Sequence, residues 1–237
     1  MSRWCIIIEY MKGGSLRGLL LRTRDRAMNL SRDFSSIRDH TATLARIRRE
    51  ITTPVLDQNL ILKYSREMIS GLKYLHQNNI IHRDLRAANV LISAANTAKL
   101  GDFGLSRKLE AVTRVVGDYT PDVGNPFWRS PETMVNDECG PAVDVWSFGV
   151  TLLEMVWVDP PFMRQESFRY VYGLCKHRHV PQIPAFVDLR VQDILGMSLQ
   201  YLPQDRPSSE EMLTCIEAMI AESKPPSSVL CDTSYES

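Results

Sequence analysis

Apolar residues recur at steps of three and four between residues 57 and 77, which is the spacing that lines one face of an α-helix. The stripe consists of Ile61, Tyr64, Met68, Leu72 and Leu75. Asp57 stands just before it, where an aspartate can accept hydrogen bonds from the free N–H groups of a first helical turn. The pattern therefore predicts a helix from Asp57 to about Gln77, broken by Asn78-Asn79.

Shorter apolar runs with the length of strands follow this helix. Ile80-Ile81 is one, and Val90–Ile92 and Ala98–Leu100 flank a turn around Ala95-Asn96. A turn between two such runs is typical of a hairpin of antiparallel strands. The residues on either side of this hairpin are therefore expected to lie next to one another.

The rest of the second half of the chain has the pattern of helices. Residues 144–157 are apolar nearly all round, which is typical of a helix buried inside a large domain. Further helical patterns cover residues 168–175, 189–199 and 208–221. Residues 223–237 are rich in Ser and short of aromatics, and we expect a disordered tail there.

The first fifty residues are less regular. Residues 5–8 have the pattern of a buried strand, Gly13-Gly14 break it, and residues 16–21 begin a short helix. Residues from about 22 to 55 form a polar, arginine-rich stretch with weak periodicity. This stretch is either a solvated, partly disordered insert, a basic docking surface, or an unspliced or wrongly assigned segment.

Composition narrows the class of protein. The 28 basic and 28 acidic residues give a formal net charge of zero, so the sequence does not indicate nucleic acid as a partner. The five cysteines form no CxxC pair, which favours a reducing compartment over a disulfide framework or a zinc site. No apolar run approaches the roughly 20 residues that span a bilayer. We therefore expect a cytoplasmic protein without membrane insertion.

One stretch carries most of the chemical information. The sequence HRDLRAAN occupies residues 82–89, and DFG occupies residues 102–104 just after the predicted hairpin. The hairpin would bring Asp84, Asn89 and Asp102 together. Transfer of a phosphoryl group from a magnesium nucleotide requires such a set, because one carboxylate orients the attacking hydroxyl and further oxygen ligands hold the metal.

These two motifs and Ser130-Pro131-Glu132 together resemble the catalytic loop, the metal-binding loop and the end of the activation segment of eukaryotic protein kinases. The resemblance implies an α+β, protein-kinase-like fold over residues 1–222: a mainly helical C-terminal lobe with a short catalytic-loop hairpin, and most of the N-terminal β lobe absent. It also implies ATP and Mg²⁺ as cofactors and a protein as the substrate.

The resemblance assigns roles to the residues of these motifs. Asp84 would act as the base, and Arg86 would place a cation near the transferred phosphate. Asn89 and Asp102 would hold magnesium, which prefers hard oxygen ligands. The plainer alternatives are a surface carboxylate for Asp84, a helix cap for Asn89 and a turn residue for Asp102.

The nucleotide would also contact residues near the start of the chain. Residues 5–15 resemble the last strand of a kinase small lobe and its hinge. Ile8 would then be the gatekeeper, the main chain of Glu9 and Met11 would bind adenine, and Ser15 and Leu91 would lie near the nucleotide. Taken alone, this stretch is more typical of an ordinary strand and turn, and the kinase interpretation depends on the motifs downstream.

Structural roles are implied for His82, Phe103, Gly104, Glu132, Asp144 and Arg206. His82 and Phe103 are expected to stack, and Asp144 is expected to accept hydrogen bonds from the backbone of residues 82–89. Glu132 and Arg206 are expected to form a buried ion pair. Arg83 is a candidate partner for a phosphorylated residue. The candidate phosphorylation sites are Thr113, Tyr119 and Thr120.

The motifs point to different amino acids as the acceptor of the phosphate. The sequence GNPFW at 124–128 and EYMKGGSLRGLL at 9–20 resemble LIM kinases and testis-specific kinases, which belong to the tyrosine-kinase-like group and phosphorylate mainly serine and threonine. The sequence RAAN at 86–89 resembles Src-type tyrosine kinases. We expect serine or threonine, because GNPFW would lie against the residue next to the acceptor; tyrosine stays open.

A Gly-rich loop, a strand lysine and its glutamate partner do not occur in these residues, and we expect an upper kinase lobe that carries them upstream of Met1. Without that lobe the chain should bind ATP poorly. The alternative function is a noncatalytic, kinase-like binding or regulatory module. The sequence does not determine the oligomeric state.

Overall fold

The structure, a computed structural model, describes residues 9–30, 54–109, 125–135, 140–159 and 173–222. The predictions for residues 5–8, for most of the polar stretch and for the tail fall outside these ranges. Helices predominate in the described part, and its strands have two or three residues each. No described helix has both the length and the hydropathy needed to cross a membrane.

The helices are α1 (Leu16–Leu30), α2 (Gln58–Gln77), α3 (Pro131–Val135), α4 (Ala142–Trp157), α5 (Leu189–Ser198) and α6 (Ser209–Glu222), with a 3₁₀ turn at Pro203–Asp205 before α6. Residues 173–177 are also helical. The strands are β1 (Gly14–Ser15), β2 (Ile80–Ile81), β3 (Val90–Ile92), β4 (Ala98–Leu100) and β5 (Arg107–Lys108).

Helix α2 confirms the prediction made from its apolar stripe. The Asp57 side chain accepts hydrogen bonds from the N–H groups of Asn59 (2.9 Å) and Leu60 (3.3 Å). All five residues of the stripe are buried, and α2 packs against α4 and α6. Asn79, with φ of 55°, takes a left-handed conformation just after the helix, as is common where helices end.

The predicted hairpin also forms. Strands β3 and β4 pair antiparallel, with Val90 opposite Leu100, and β1 pairs with the other side of β3. A hydrogen bond from Gly101 N to Asn89 O (2.8 Å) continues the pairing past the strand ends. A Cβ atom at Gly101 would lie 2.9 Å from Cδ1 of Leu91, so a larger residue would require the Leu91 side chain to move. Residues 89 and 101 are therefore held side by side.

Helix α4 is the centre of the core, as its apolar sequence predicts. Every residue from 143 to 156 is buried. Gly149 lets α4 approach α5 closely, since a Cβ atom there would lie 2.7 Å from Cβ of Ser198. The loop 82–89, called the HRD loop below, packs on α4, because Leu85 and Ala87 are fully buried in the same cluster.

Helix α1 is longer than its pattern predicts. It continues from the predicted short helix into the arginine-rich stretch and ends at Leu30. Leu16 and Leu20 are fully buried, and Leu19 and Leu21 pack against the same core. These contacts anchor the first turns, and each residue added to a formed turn contributes one further backbone hydrogen bond. The described part of the polar stretch, residues 22–30, is therefore helical.

Candidate active site

Three predicted site residues meet in the HRD loop. The side-chain amide of Asn89 donates hydrogen bonds to Oδ2 of Asp84 (2.6 Å) and to the Asp84 carbonyl oxygen (2.8 Å). The guanidinium of Arg86 lies 3.4 Å from Oδ1 of Asp84. The Asp84 carboxylate is thus held between an amide and a cation.

Asp102 follows β4 directly, and its position is set by the hairpin. It is next to Gly101, whose N–H is bonded to the Asn89 carbonyl oxygen. Its backbone has φ of 57°, an uncommon conformation for a residue with a Cβ. The side chain is exposed, and its Oδ1 accepts a long bond from Gly104 N (3.3 Å). Asp102 and Asn89 therefore lie at the same end of the hairpin.

The oxygen atoms at this end of the hairpin fit a magnesium ion. Because the Asn89 amide nitrogen is bonded to Asp84, its Oδ1 is the atom left to face a cation. The Asp102 carboxylate is accessible to solvent. Magnesium is commonly held by one or two carboxylates together with substrate phosphates and water. A hard-oxygen pair of this kind suits a metal shared with a nucleotide.

Asp144 of α4 anchors the HRD loop through hydrogen bonds to its backbone, as predicted. It is fully buried, and its two carboxylate oxygens accept hydrogen bonds from the N–H groups of His82 and Arg83, each at 2.8 Å. Arg83 has φ of 67°, a conformation that needs support from its surroundings in a non-glycine residue. The buried carboxylate provides that support and fixes the backbone just before Asp84.

Sequence reasoning missed a further partner of Asp144. His76, in the last turn of α2, places Nε2 at 2.9 Å from Oδ2 of Asp144 and Nδ1 at 2.9 Å from the Ser209 hydroxyl. The only sequence signal is a histidine in the last helical turn. His76 ties the start of α6 to the residue that holds the HRD loop.

The predicted contact between His82 and Phe103 forms. Their ring centroids are 5.2 Å apart and the planes are tilted by 53°. His82 is fully buried, with Nε2 at 3.0 Å from the Gly101 carbonyl oxygen, whereas half of Phe103 is exposed. The pair joins the HRD loop to the segment that carries Asp102.

The predicted buried ion pair forms as well. The Arg206 guanidinium donates to both carboxylate oxygens of Glu132, at 2.7 and 2.8 Å. It also donates to the carbonyl oxygens of Ala142, Gln200 and Tyr201. This single side chain connects α3 to the start of α4 and to the loop after α5.

The described residues predicted to face the nucleotide lie near strands β3 and β4. Ser15 is paired with Leu91, and the Met11 carbonyl oxygen accepts from Gly14 N at 2.9 Å. The Glu9 carboxylate is exposed and forms an ion pair with Lys99 of β4 (2.7 Å). Ile8 and the candidate phosphorylation sites lie outside the described residues.

A small cleft lies beside Asp84, lined by Arg83, Asn125, Trp128 and Thr133 among others. We call it the Trp128 cleft. Trp128 is held at its backbone, because its N–H donates to the Asn125 carbonyl (3.1 Å) and its carbonyl accepts from the Ser147 hydroxyl (2.8 Å). The GNPFW segment, which was predicted to lie beside the acceptor residue, therefore ends next to Asp84.

Glu154 is the second residue that sequence reasoning missed. It is almost fully buried in α4, and its Oε2 accepts from Ala87 N (2.9 Å) and from the indole N–H of Trp128 (2.8 Å). Burial raises its pKa to about 7, against the opposing effect of these N–H groups and of Arg17 and Arg86. The sequence signal that could have identified Glu154 is an acidic residue within an otherwise apolar helix.

The raised pKa of Glu154 predicts a pH-dependent stability. The Glu154 carboxyl group loses its proton near pH 4.5 in the unfolded chain and near pH 7 in the folded protein. The contribution of the protonated carboxyl group to the free energy of unfolding is therefore complete below pH 4.5 and is lost as the pH rises through about 7. Glu154→Gln cannot titrate. Its free energy of unfolding, relative to the wild type, should rise between pH 5 and pH 8 by on the order of 3 kcal/mol, measured by denaturant titration. Parallel stability profiles would contradict the assignment.

Comparisons with known proteins all point to the same family. A family model described as "Protein tyrosine and serine/threonine kinase" matches residues 1–216. The chain is 35% identical over 159 residues to mitogen-activated protein kinase kinase kinase 3 of Homo sapiens, which covers 67% of the chain. It is 34% identical over 215 residues, 90% of the chain, to the serine/threonine-protein kinase shk1/pak1 of Schizosaccharomyces pombe. The chain spans about a quarter of each relative's length, 25% and 27% respectively.

Proposed function

Since the chain belongs to the family of protein tyrosine and serine/threonine kinases, we propose that it transfers the terminal phosphate of ATP to a serine or threonine hydroxyl of a protein substrate. The observation that carries this proposal is the contact of Asn89 with Asp84 in a loop that Asp144 anchors. That loop lies next to the hairpin end that carries Asp102.

In this proposal the residues of the site orient groups and balance charge. Oδ1 of Asp84, the carboxylate oxygen that is not bonded to Asn89, accepts a hydrogen bond from the substrate hydroxyl and directs its lone pair towards the phosphate. Arg86, beside Asp84, stabilises negative charge on the transferred group. Asn89 and Asp102 hold magnesium, which when bound neutralises the phosphate oxygens.

The proposed acceptor is serine or threonine because the GNPFW motif, which resembles that of kinases acting mainly on serine and threonine, ends at the Trp128 cleft beside Asp84. The GNPFW motif also resembles LIM and testis-specific kinases, and we propose that the chain belongs to that branch. Several similar relatives carry serine/threonine-protein kinase or mitogen-activated protein kinase kinase kinase in their names. We place the activity in the cytoplasm, on the cysteine pattern.

The proposed function predicts a clear acceptor preference. With magnesium and γ-labelled ATP, the protein with any natural upstream sequence should label a serine or threonine peptide at least about tenfold faster than the matched tyrosine peptide. Chelating the magnesium should remove the labelling. Faster labelling of tyrosine would overturn the acceptor assignment, and magnesium-independent labelling would overturn the metal assignment. Failure to label any peptide would favour the noncatalytic alternative.

A further inference from the structure

The face of α5 that points away from the core carries a groove that the proposed function does not use. The residues that line it include Ile183, Asp193, Gly196, Met197, Asp205 and Met219, and we call it the α5 groove. None of the described residues that line it also lines the Trp128 cleft. Its volume is about 760 Å³, within the range of roughly 300 to 1,000 Å³ that is usual for ligand pockets. The groove is therefore large enough to hold a short segment of polypeptide.

The α5 groove combines apolar side chains with negative charge. Ile183, Met197 and Met219 are all at least partly exposed, and methionine side chains adapt readily to the shape of a bound partner. Asp193 and Asp205 are exposed and supply the charge. Among the described residues that line the groove, none is a lysine, an arginine or a histidine. The groove therefore suits a segment that carries aliphatic side chains and positive charges.

One stretch of the chain ends close to this groove. Residues 31–53 lie outside the described ranges, and the chain is described again from residue 54. The side-chain oxygen of Gln58 accepts a hydrogen bond from Asp188 N, directly before α5. Gly196 of the groove is eight residues further along the chain, which is about 12 Å at the helical rise of about 1.5 Å per residue. The stretch that precedes residue 54 therefore ends about two helical turns from the groove.

The last part of that stretch has the chemistry that the groove requires. Residues 44–51 have the sequence LARIRREI, which contains three arginines and one glutamate. Leu44, Ile47 and Ile51 are spaced by three and four residues, which is the pattern of an amphipathic helix that binds a groove through its apolar face. The sequence therefore offers positive charge and an aliphatic face within the same short segment.

The length of the chain allows this segment to reach the groove. Ile51 precedes Pro54 by three residues, and three extended residues span about 10 Å. A helix over residues 44–51 would be about 12 Å long, which is also the length of α5 and its end from Gln192 to Gln200, two further residues that line the groove. Segment and groove therefore match in length.

Residues 223–237 are another segment of this chain within reach, because they follow α6, whose Met219 lines the groove. They carry one basic and two acidic residues. Their net charge thus has the same sign as that of Asp193 and Asp205. Charge complementarity therefore favours residues 44–51 as the occupant.

We propose that residues 44–51 of this chain bind in the α5 groove, with their aliphatic side chains against Met197 and Met219 and their arginines beside Asp193 and Asp205. The end of the arginine-rich stretch is then a docking segment for the helical lobe and not a solvated insert. This contact does not depend on phosphoryl transfer, so its test is independent of the test of the proposed function.

A photo-reactive residue in place of Ile47 tests the contact in the full chain. On irradiation, p-benzoylphenylalanine removes a hydrogen atom from a nearby C–H group, preferably one next to a methionine sulfur, and the two carbon radicals join. Mass spectrometry of the digested protein should find the cross-link on Met197 or Met219 of the same chain. The matched control is the same probe at Ser36, which should reach these methionines in at least about tenfold lower yield, because an undocked probe has a low effective concentration at the groove.

Two changes at Gly196 test whether the groove holds the segment. A Cβ atom there would lie 3.9 Å from Cδ1 of Ile183, its nearest neighbour, so alanine and lysine both fit the helix. Gly196→Lys places a cation and a long side chain in the groove and should lower the cross-link yield at least about tenfold. Gly196→Ala is the matched control and should lower the yield by less than about twofold.

A change in the segment itself tests the charge and leaves every residue of the groove unaltered. Arg48→Glu replaces attraction to the exposed aspartates by repulsion and should lower the cross-link yield about fivefold. If Gly196→Lys does not fold, Arg48→Glu decides.

Cross-links from residue 47 to Met197 or Met219 that are lost in Gly196→Lys would support the proposal. It would be overturned by cross-links only at other places, by a yield no higher than that of the probe at Ser36, or by a yield that folded Gly196→Lys leaves unchanged. Cross-links between two chains would show that a second copy supplies the segment. Cross-links to the groove from a probe at Leu230 but not from residue 47 would identify residues 223–237 as the occupant. Either of these last two results also contradicts the proposal.

Discussion

Asp84→Asn is expected to abolish phosphoryl transfer, with kcat reduced by about 10²- to 10⁴-fold. Asparagine has nearly the same shape as aspartate and can still accept a bond from the Asn89 amide, which lies 2.6 Å from Oδ2 in the wild type. It lacks the negative charge that orients the substrate hydroxyl and withdraws its proton. The loss should therefore appear in kcat, measured as labelled phosphate incorporated per unit time.

The matched control for this change is Asp193→Asn, an exposed aspartate on α5. It removes the same charge far from the HRD loop and should leave kcat unchanged. The melting temperature of Asp84→Asn should stay within a few degrees of the wild type, because the carboxylate is not part of the core. Undiminished transfer by Asp84→Asn would contradict its role as the base.

Arg206→Leu is expected to destabilise the protein by about 3 to 5 kcal/mol, because it leaves the buried Glu132 carboxylate without its partner. The pair is bidentate, and the side chains of Arg206 and Glu132 are 0% and 6% exposed. Glu132→Leu should lower the free energy of unfolding by a smaller amount. The arginine would then keep its bonds to the carbonyl oxygens of Ala142, Gln200 and Tyr201.

The measurement is the free energy of unfolding from denaturant titration at pH 7. Arg66→Leu is the control, because its ion pair with Glu217 is exposed on both sides and such pairs are worth about 1 kcal/mol or less. Equal losses for Arg206→Leu and Arg66→Leu would show that the buried pair does not hold α3 in place. A larger loss for Glu132→Leu than for Arg206→Leu would contradict the role given to the carbonyl oxygens.

The elements that could be predicted from the sequence are those with a local signal. The stripe of α2 and the cap at Asp57 depend on residues within a few turns of one another, and the hairpin depends on two short runs and one turn. Asp144 and the Glu132–Arg206 pair were found through the family resemblance. Composition or periodicity alone would not have joined residues 132 and 206.

The features that could not be predicted depend on packing between distant elements. His76 and Asp144 are 68 positions apart, and Glu154 and Ala87 are 67 apart. The sequence shows a histidine at a helix end and an acid in an apolar helix, but it does not show which donors or acceptors face them. The extension of α1 to Leu30 likewise depends on leucines that anchor its first turns in a core built by other elements.

The most direct test of the site is to place a paramagnetic ion where magnesium is proposed to bind. Mn²⁺ added with ATP should broaden the side-chain amide NMR signals of Asn89. The signals of Asn59, at the far end of α2, should stay sharp and serve as the internal control. Asn89 signals that stay sharp while ATP and Mn²⁺ are bound would contradict a metal–nucleotide site at Asp84, Asn89 and Asp102.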